Sequence, residues 1–385
     1  MPNFDHPINS KLPRIGTTIF TTMSKLAADH NAINLSQGFP DFDIDPVLRD
    51  IVVRYYSKQL NQYAPMQGVP ALRSLISNTT EALHGTYYHP QDEINITSGA
   101  TQALFTAITA LVHEGDEVIV FAPAYDCYVP AIEIAGAIAV VIPLSQPDFQ
   151  YPWAEVKKHI NRKTRMIIIN SPHNPSGRML RREDLWALEK LVRDTGIVIL
   201  SDEVYEHITF DGRPHLSMAS SAVLAERAVI VGSFGKTLHA TGWKIGYALA
   251  PGRLMVEFRK VHQYNVFCTN TPLQHAIAEY MENPQTYLGP SSFYQAKRDL
   301  FISAINGSRF SLTPAEGAYF QVLDYSAITH EPDTDFALRL VRDHGLAAIP
   351  LSVFYPRPPA RGLLRFCFAK KEETLLRAAE ILNTL

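Results

Sequence analysis

Seven short apolar runs constrain this chain more than any other feature: INIT, EVIVFA, IAVVIPL, RMIIIN, IVILSD, AVIVGS and IGYALA, spread over residues 94–250 and separated by helix-length amphipathic segments. Strand-length apolar runs alternating with helical ones give the βαβ pattern of a mostly parallel, seven-stranded α/β sheet. The runs are too apolar to leave one face in water, so helices are expected on both sides. One such helix is written in ATQALFTAITALVHEG, where Ala103, Leu104, Ala107, Ile108 and Leu111 fall on one stripe and Gly115 closes the segment. Beyond residue 285 the pattern changes to longer helices with the short strands FQVLDY, AAIPLSVF and LLRFCFA, which reads as a smaller α+β domain. The expected division is residues 1–44 as an amino-terminal arm and part of the small domain, 45–284 as a large domain and 285–385 as the small carboxy-terminal domain. The first stretch holds no long core element and is expected to pack on the small domain or on another subunit.

A length of 385 residues suits about two domains. Hydrophobic residues at 46% and charged residues at 19% describe an ordinary globular chain. The net charge of -3 lacks the basic excess of a nucleic-acid binder. Cys127, Cys268 and Cys367 form no CxxC pair, which fits a reducing compartment. With no apolar h-region near the start and no run of about eighteen apolar residues, the expectation is a cytoplasmic protein without a membrane partner.

Ligands of open α/β sheets bind at the carboxyl ends of the strands, and here those ends are polar. SGATQ follows INIT, PAYDCY follows EVIVFA, SPHNPSG follows RMIIIN, DEVYEH follows IVILS and SFGK follows AVIVG. Gly99, Ala100 and Thr101 open a helix whose free N–H groups could seat a phosphate, although Ser98 or Thr101 acting as a plain N-cap would read the same way. Asp202 and Glu203 end a strand where a carboxylate is costly without a cation or donors; the alternatives are a helix N-cap or a carboxylate that keeps a ligand's ring nitrogen protonated. Tyr205 lies three residues on as a phenol donor. Asn174 sits in a proline-bracketed turn that turn chemistry alone would explain, and Tyr125 fits either a core ring or one stacked on a ligand.

SFGKTLHATGWKIGY supplies two lysines, each a solvated charge or a chemical group. A lysine at a buried strand end near another cation becomes a Schiff-base nucleophile, which suits Lys236. Lys244, just before IGYALA, suits a fixed positive charge on a phosphate. Together these residue types are the set that pyridoxal 5′-phosphate requires.

The order and spacing of NLSQGFPDF, NQYAPMQGVPALR, SPHNPSG, SDEVYEHI, SFGKTLHATGWKIGY and LLRFCFAKK span residues 34–371. On these motifs the chain resembles the fold-type I, class I/II aminotransferases, in the methionine, kynurenine and glutamine branch. The resemblance implies Lys236 as the Schiff-base lysine and general acid/base, and Asp202 as partner of the pyridine nitrogen. It implies Asn174 and Tyr205 on the ring's phenolic oxygen, Tyr125 stacked on the ring, and Gly99, Ala100, Thr101, Ser233 and Lys244 on the phosphate. Arg365, on an apolar strand, matches the residue that grips the substrate α-carboxylate, with Asn174 and the backbone of Gly38 assisting. Tyr63 matches a residue that reaches the phosphate in the neighbouring subunit, so a homodimer is implied. Much of the wider family carries arginine where Lys244 stands, and lysine offers a point charge in place of a fork.

These assignments imply a ping-pong transamination between an amino acid and a 2-oxo acid. No second arginine is evident for a dicarboxylic side chain, while IGTTIF, GFPDF and Tyr63 offer apolar and aromatic walls, so a methionine-like, aromatic, glutamine or kynurenine-type donor is expected. The alternative is a β-lyase acting on cystathionine or cysteine conjugates with the same lysine and cofactor. A cofactor-binding regulatory module would need a DNA-binding segment, and none is visible.

Overall fold

The computed structural model describes residues 2–357 and 362–385. Twelve strands run through it: β1 (Ile33–Asn34), β2 (Ile94–Thr97), β3 (Glu117–Ala122), β4 (Ile138–Pro143), β5 (Thr164–Asn170), β6 (Val198–Asp202), β7 (Ala228–Ser233), β8 (Gly246–Leu249), β9 (Phe320–Asp324), β10 (Leu346–Ala347), β11 (Ile349–Pro350) and β12 (Leu363–Cys367). The seven apolar runs become β2 to β8 of one sheet, in the order β2-β8-β7-β6-β5-β3-β4. Side chains alternate cleanly between its faces: Val118, Val120, Met166, Ile168, Val198 and Leu200 enter one core, and Ile119, Phe121, Ile167, Ile169 and Ile199 the other. Burial on both faces is the reason these strands read as continuous apolar runs. The sheet edge is different. β4 pairs with β3 alone, and its Ile138 is 51% exposed, so this run is not covered on both sides as expected.

All the strands run in one direction except β8, which is antiparallel to both neighbours. A parallel return needs a crossover of a dozen or more residues, usually a helix. Between β7 and β8 lie residues 234–245, in which the helix Phe234–Thr237 and the 3₁₀ turn Thr241–Trp243 are each less than two turns long, too short to carry the chain back along the sheet. It therefore re-enters the sheet from the edge it has just left, and both lysines of this connection stay at that edge.

The helix Ala100–Leu111 buries the expected stripe against the sheet. It ends at Leu111, earlier than the sequence pattern implies; Gly115, at φ +82°, serves a later turn in which its N–H donates to the Gly136 carbonyl at 3.0 Å. In the carboxy-terminal part β11, β12 and β9 form an antiparallel sheet. AAIPLSVF is not one strand: Ala347 ends β10, Ile349–Pro350 forms β11 and Leu351–Phe354 winds into a 3₁₀ turn. Pro350 has no N–H to extend a ladder. At the amino-terminal end the helix Ile19–Asp29, capped by the Thr18 side chain, buries Met23 and Ala27, and β1 pairs in parallel with β10. The arm thus carries a core helix that packs on the carboxy-terminal part of its own chain.

Candidate active site

The polar strand ends converge on a cavity of about 250 Å³. Gly38, Gly99, Ala100, Thr101, Tyr125, Asn174, Asp202, Tyr205, Ser233, Lys236, Lys244 and Arg365 all line it. Tyr63 does not: it is 84% exposed and stands edge-on to Phe267 at 5.3 Å, in a separate cleft with Tyr56 and Thr269.

Lys236 sits in the short helix after β7, and its Nζ donates to the Tyr319 hydroxyl at 2.9 Å and to the Gly38 carbonyl at 3.3 Å. Burial, helped by the positive charges of Lys244 and Arg365, brings its amine down to about 8. Such an amine is partly neutral near pH 7 and able to act as nucleophile or base.

The turn before Ala100–Leu111 has the features that suit an anion. Gly99 is the N-cap at φ +77° and no side chain caps the helix; Ser98 donates its own N–H to Gln102 Oε1, and the Thr101 hydroxyl meets that of Tyr125 at 3.3 Å. The first-turn N–H groups are left facing the cavity, at the positive end of the helix dipole. Lys244 folds over them. Gly99 holds φ +77° and ψ 167°, a conformation that side-chain-bearing residues rarely adopt, and a Cβ there would stand 3.2 Å from Lys244 Nζ. Lys244 itself holds the left-handed conformation at φ 53°, a strained setting that tends to occur at functional sites. Gly246 lets β8 reach the same place, since a Cβ there would fall 2.9 Å from the Ala100 nitrogen.

The two carboxylates after β6 separate. Glu203 turns away, bound by His215 Nε2 at 2.8 Å, the Ser201 hydroxyl at 2.7 Å and the Met218 N–H at 3.0 Å. Asp202 faces the cavity, accepting from the Tyr128 hydroxyl at 2.6 Å and the Val204 N–H at 3.3 Å. Burial pushes its carboxyl up to about 6, although both donors pull the other way. Among the described residues it makes no ion pair, so a cation from a ligand has a place beside it. Tyr205, fully buried, carries a phenol that burial raises far above its ordinary value, keeping it a donor.

Arg365 on β12 is 1% exposed and has no carboxylate within ion-pair distance among the described residues. Its Nη1 donates to Asn174 Oδ1 at 2.9 Å and its Nη2 to the Ser36 carbonyl at 2.7 Å, while Nε has no partner. Phe320 lies 4.1 Å from the guanidinium by its ring centroid, with Phe20 at 5.2 Å. A buried, incompletely satisfied guanidinium is a receptor for a carboxylate. Among the described residues no second arginine lines the cavity.

Besides Tyr125 and Tyr205, aromatic lining comes from Phe20 of IGTTIF and from Phe320. Phe39 and Tyr63, expected as walls, stand outside it. Sequence reasoning missed Tyr128, Tyr319 and Phe320. Tyr128 is the last letter of PAYDCY, three residues beyond Tyr125, and that spacing could have raised it. Tyr319 and Phe320 precede or open a strand far along the chain and look like core aromatics.

The residues fit pyridoxal phosphate in every part the cofactor needs: an uncapped helix start with a lysine over it, a buried carboxylate lacking a cation, and an amine of lowered pKa. Among the described residues no group of His, Cys, Asp and Glu side chains could hold a metal ion, and no helix is long and apolar enough to cross a membrane.

Comparison with known proteins shows which family the chain is similar to. A family model described as aminotransferase class I and II matches residues 30–382. The methionine aminotransferase of Escherichia coli (strain K12) is 49% identical over 377 residues, which is 98% of this chain and 98% of its own. Kynurenine–oxoglutarate transaminase 3 of Rattus norvegicus is 34% identical across 97% of this chain and 89% of its own length. A solved Escherichia coli structure, reported as identifying a methionine aminotransferase function, matches with a TM-score of 0.97 at 49% identity, covering 99% of this chain and 100% of that one.

Proposed function

The chain belongs to the class I and II aminotransferases, and from that premise we propose that it binds pyridoxal 5′-phosphate and moves the amino group of a methionine-like or aromatic amino acid to a 2-oxo acid. The fold is that of the fold-type I enzymes. The observation that carries the substrate reading is Arg365, buried and incompletely partnered, as the one arginine among the described lining residues, with Phe320 and Phe20 beside it. One guanidinium suits one carboxylate, and the apolar rings suit an uncharged side chain.

Gly99, Ala100, Thr101, Ser233 and Lys244 would hold the phosphate, Tyr125 would cover the ring, and Asn174 and Tyr205 would hydrogen-bond its phenolic oxygen. Asp202 would hold the ring nitrogen's proton; burial raises its cost of ionisation, and a cationic partner at this place offsets that cost. When bound, the cofactor supplies the electron sink that makes the substrate α-proton acidic. Arg365 with Asn174 fixes the α-carboxylate, and so orients the α-carbon toward Lys236. Lys236 Nζ would take the α-proton and pass it to the cofactor side of the reacting bond, not back to the α-carbon; the 2-oxo acid product leaves before the second 2-oxo acid enters the same site, so the kinetics should be ping-pong. We also read the enzyme as a cytoplasmic homodimer in which Tyr63 crosses to the neighbouring site, consistent with its exposure in the single chain.

The test is an amino-donor screen against several 2-oxo acids. Methionine and aromatic donors should give their 2-oxo acids with matching amination of the acceptor. Preferred use of aspartate or glutamate as donor would sink the substrate reading, and release of pyruvate with ammonia from a cysteine conjugate without amino transfer would favour the β-lyase.

A further inference from the structure

Tyr319 stands just before β9, fully buried, and its hydroxyl reaches the Gly38 carbonyl at 2.6 Å, Lys236 Nζ at 2.9 Å and, beside them, the Tyr205 phenol. A carbonyl oxygen can only accept, so the shorter contact takes the phenol's single proton. The lone pairs of the same oxygen are then what Lys236 meets. Three distant parts of the chain come together here, the loop after β1, the short helix after β7 and the entrance to β9.

We propose that Tyr319 is the resting partner of the Lys236 amine, accepting a hydrogen bond from the ammonium so that the lysine can carry a proton in a buried site whenever it is not bonded to the cofactor. The proposal rests on Lys236 being the reacting amine. The balance of groups around Nζ explains why such a partner is required. Lys244 and Arg365 repel a positive charge and Asp202 attracts one; Cys367, whose thiol burial raises, stays neutral. The rings of Tyr205 and Tyr319 lie with their centroids at 5.5 and 5.4 Å from Nζ. Among the described residues, the Tyr319 oxygen and the Gly38 carbonyl are the hydrogen-bond acceptors of this amine, and Tyr319 is the closer. A base that takes the α-proton becomes an ammonium, and a hydrogen bond to the charged form favours that form. Tyr319 also donates to the carbonyl that shares the amine, so it fixes the loop at Gly38 on which the substrate carboxylate is proposed to rest.

The sign of the effect follows. Removing the acceptor disfavours the ammonium, so the lysine should lose its proton at lower pH. The experiment uses the full-length chain stripped of cofactor: Lys236 is labelled with a trace of an amine-acylating reagent across pH, and its peptide is quantified by mass spectrometry. In Tyr319→Phe the labelling midpoint should fall by about one pH unit, which is about tenfold greater reactivity at a fixed pH below the midpoint. The substitution keeps the ring and its edge-on packing against Tyr205 and Phe320, so the fold is retained. The control is Tyr294→Phe, which removes a hydroxyl bound to His239 at 2.7 Å from the adjacent ring and should leave the midpoint in place. An unmoved or raised midpoint in Tyr319→Phe overturns the proposal, as does an equal fall in Tyr294→Phe. Transamination by the wild-type enzyme is assayed separately. If it is absent while the Tyr319→Phe shift is present, the aminotransferase reading fails and the Tyr319 assignment stands.

Discussion

Asp202 and Arg365 are charges buried without an opposite charge to match, and the residues that steady them decide how they behave. The Tyr128 hydroxyl, 2.6 Å from Asp202, favours its ionised form. Tyr128→Phe should therefore raise the Asp202 carboxyl, and the acid limb of kcat/KM should move up by about one pH unit with its alkaline limb unchanged. A pH–rate profile checks this; a limb that stays in place would mean that Asp202 does not have to be ionised for turnover. Arg365→Lys keeps the charge but loses the planar fork that also bonds Asn174 and Ser36. KM for the amino donor should rise by about tenfold to a hundredfold, the cost of about 1.5–3 kcal/mol for a hydrogen bond to a charged group.

The direction of β8 is the element on which the site turns. Because it runs back from the edge where β7 ends, Lys236 and Lys244 face one cavity although β7 and β8 are neighbours in sequence. Gly246 makes this closeness possible: a Cβ there would lie 2.8 Å from the Gly232 carbonyl and 2.9 Å from the Ala100 nitrogen, both rigid backbone. Gly246→Ala should lower stability by about 1–3 kcal/mol and weaken cofactor binding by more than that loss of stability implies, because the helix start is pushed off the phosphate seat. Thermal unfolding with and without cofactor separates the two effects. Six of the seven strands were readable because burial on both faces leaves an apolar signature, β4 being apolar though partly exposed, and the polar ends were readable because ligands gather there. The reversal of β8 has no such signature; it follows from what the connection lacks. AAIPLSVF misled because apolar composition does not reveal where Pro350 stops a ladder. Residue type and position do not tell Glu203 from Asp202; the family resemblance pointed to Asp202, and packing against His215 and Tyr128 supplies the physical difference between a structural carboxylate and one that faces the cavity. Tyr319 stayed hidden since a buried tyrosine before a strand is ordinary until its hydroxyl is seen to meet Lys236.

At the scale of the whole molecule, one chain contains nearly all of the proposed site, and Tyr63 is the exception. Its ring is 84% exposed beside Phe267, which is 40% exposed, and Tyr56, which lines the same cleft, is 47% exposed. Large aromatic rings grouped in water mark a surface meant to be covered. In a two-fold dimer each Tyr63 would reach the other subunit's phosphate seat, and the two sites would be exchanged symmetrically. Mixing two inactive or weakened variants tests this without any structure of the dimer. Lys236→Ala subunits lack the reacting amine but donate a normal Tyr63; Tyr63→Ala subunits keep the amine but donate nothing. If Tyr63 crosses, a mixed dimer has one site with both groups intact and one with neither, so random re-association of equal amounts should restore about a quarter of wild-type sites at limiting cofactor. If Tyr63 serves its own subunit, every site with Lys236 still lacks its tyrosine, and mixing restores nothing. The two arrangements therefore differ in kind, and activity regained on mixing distinguishes a shared site from a private one.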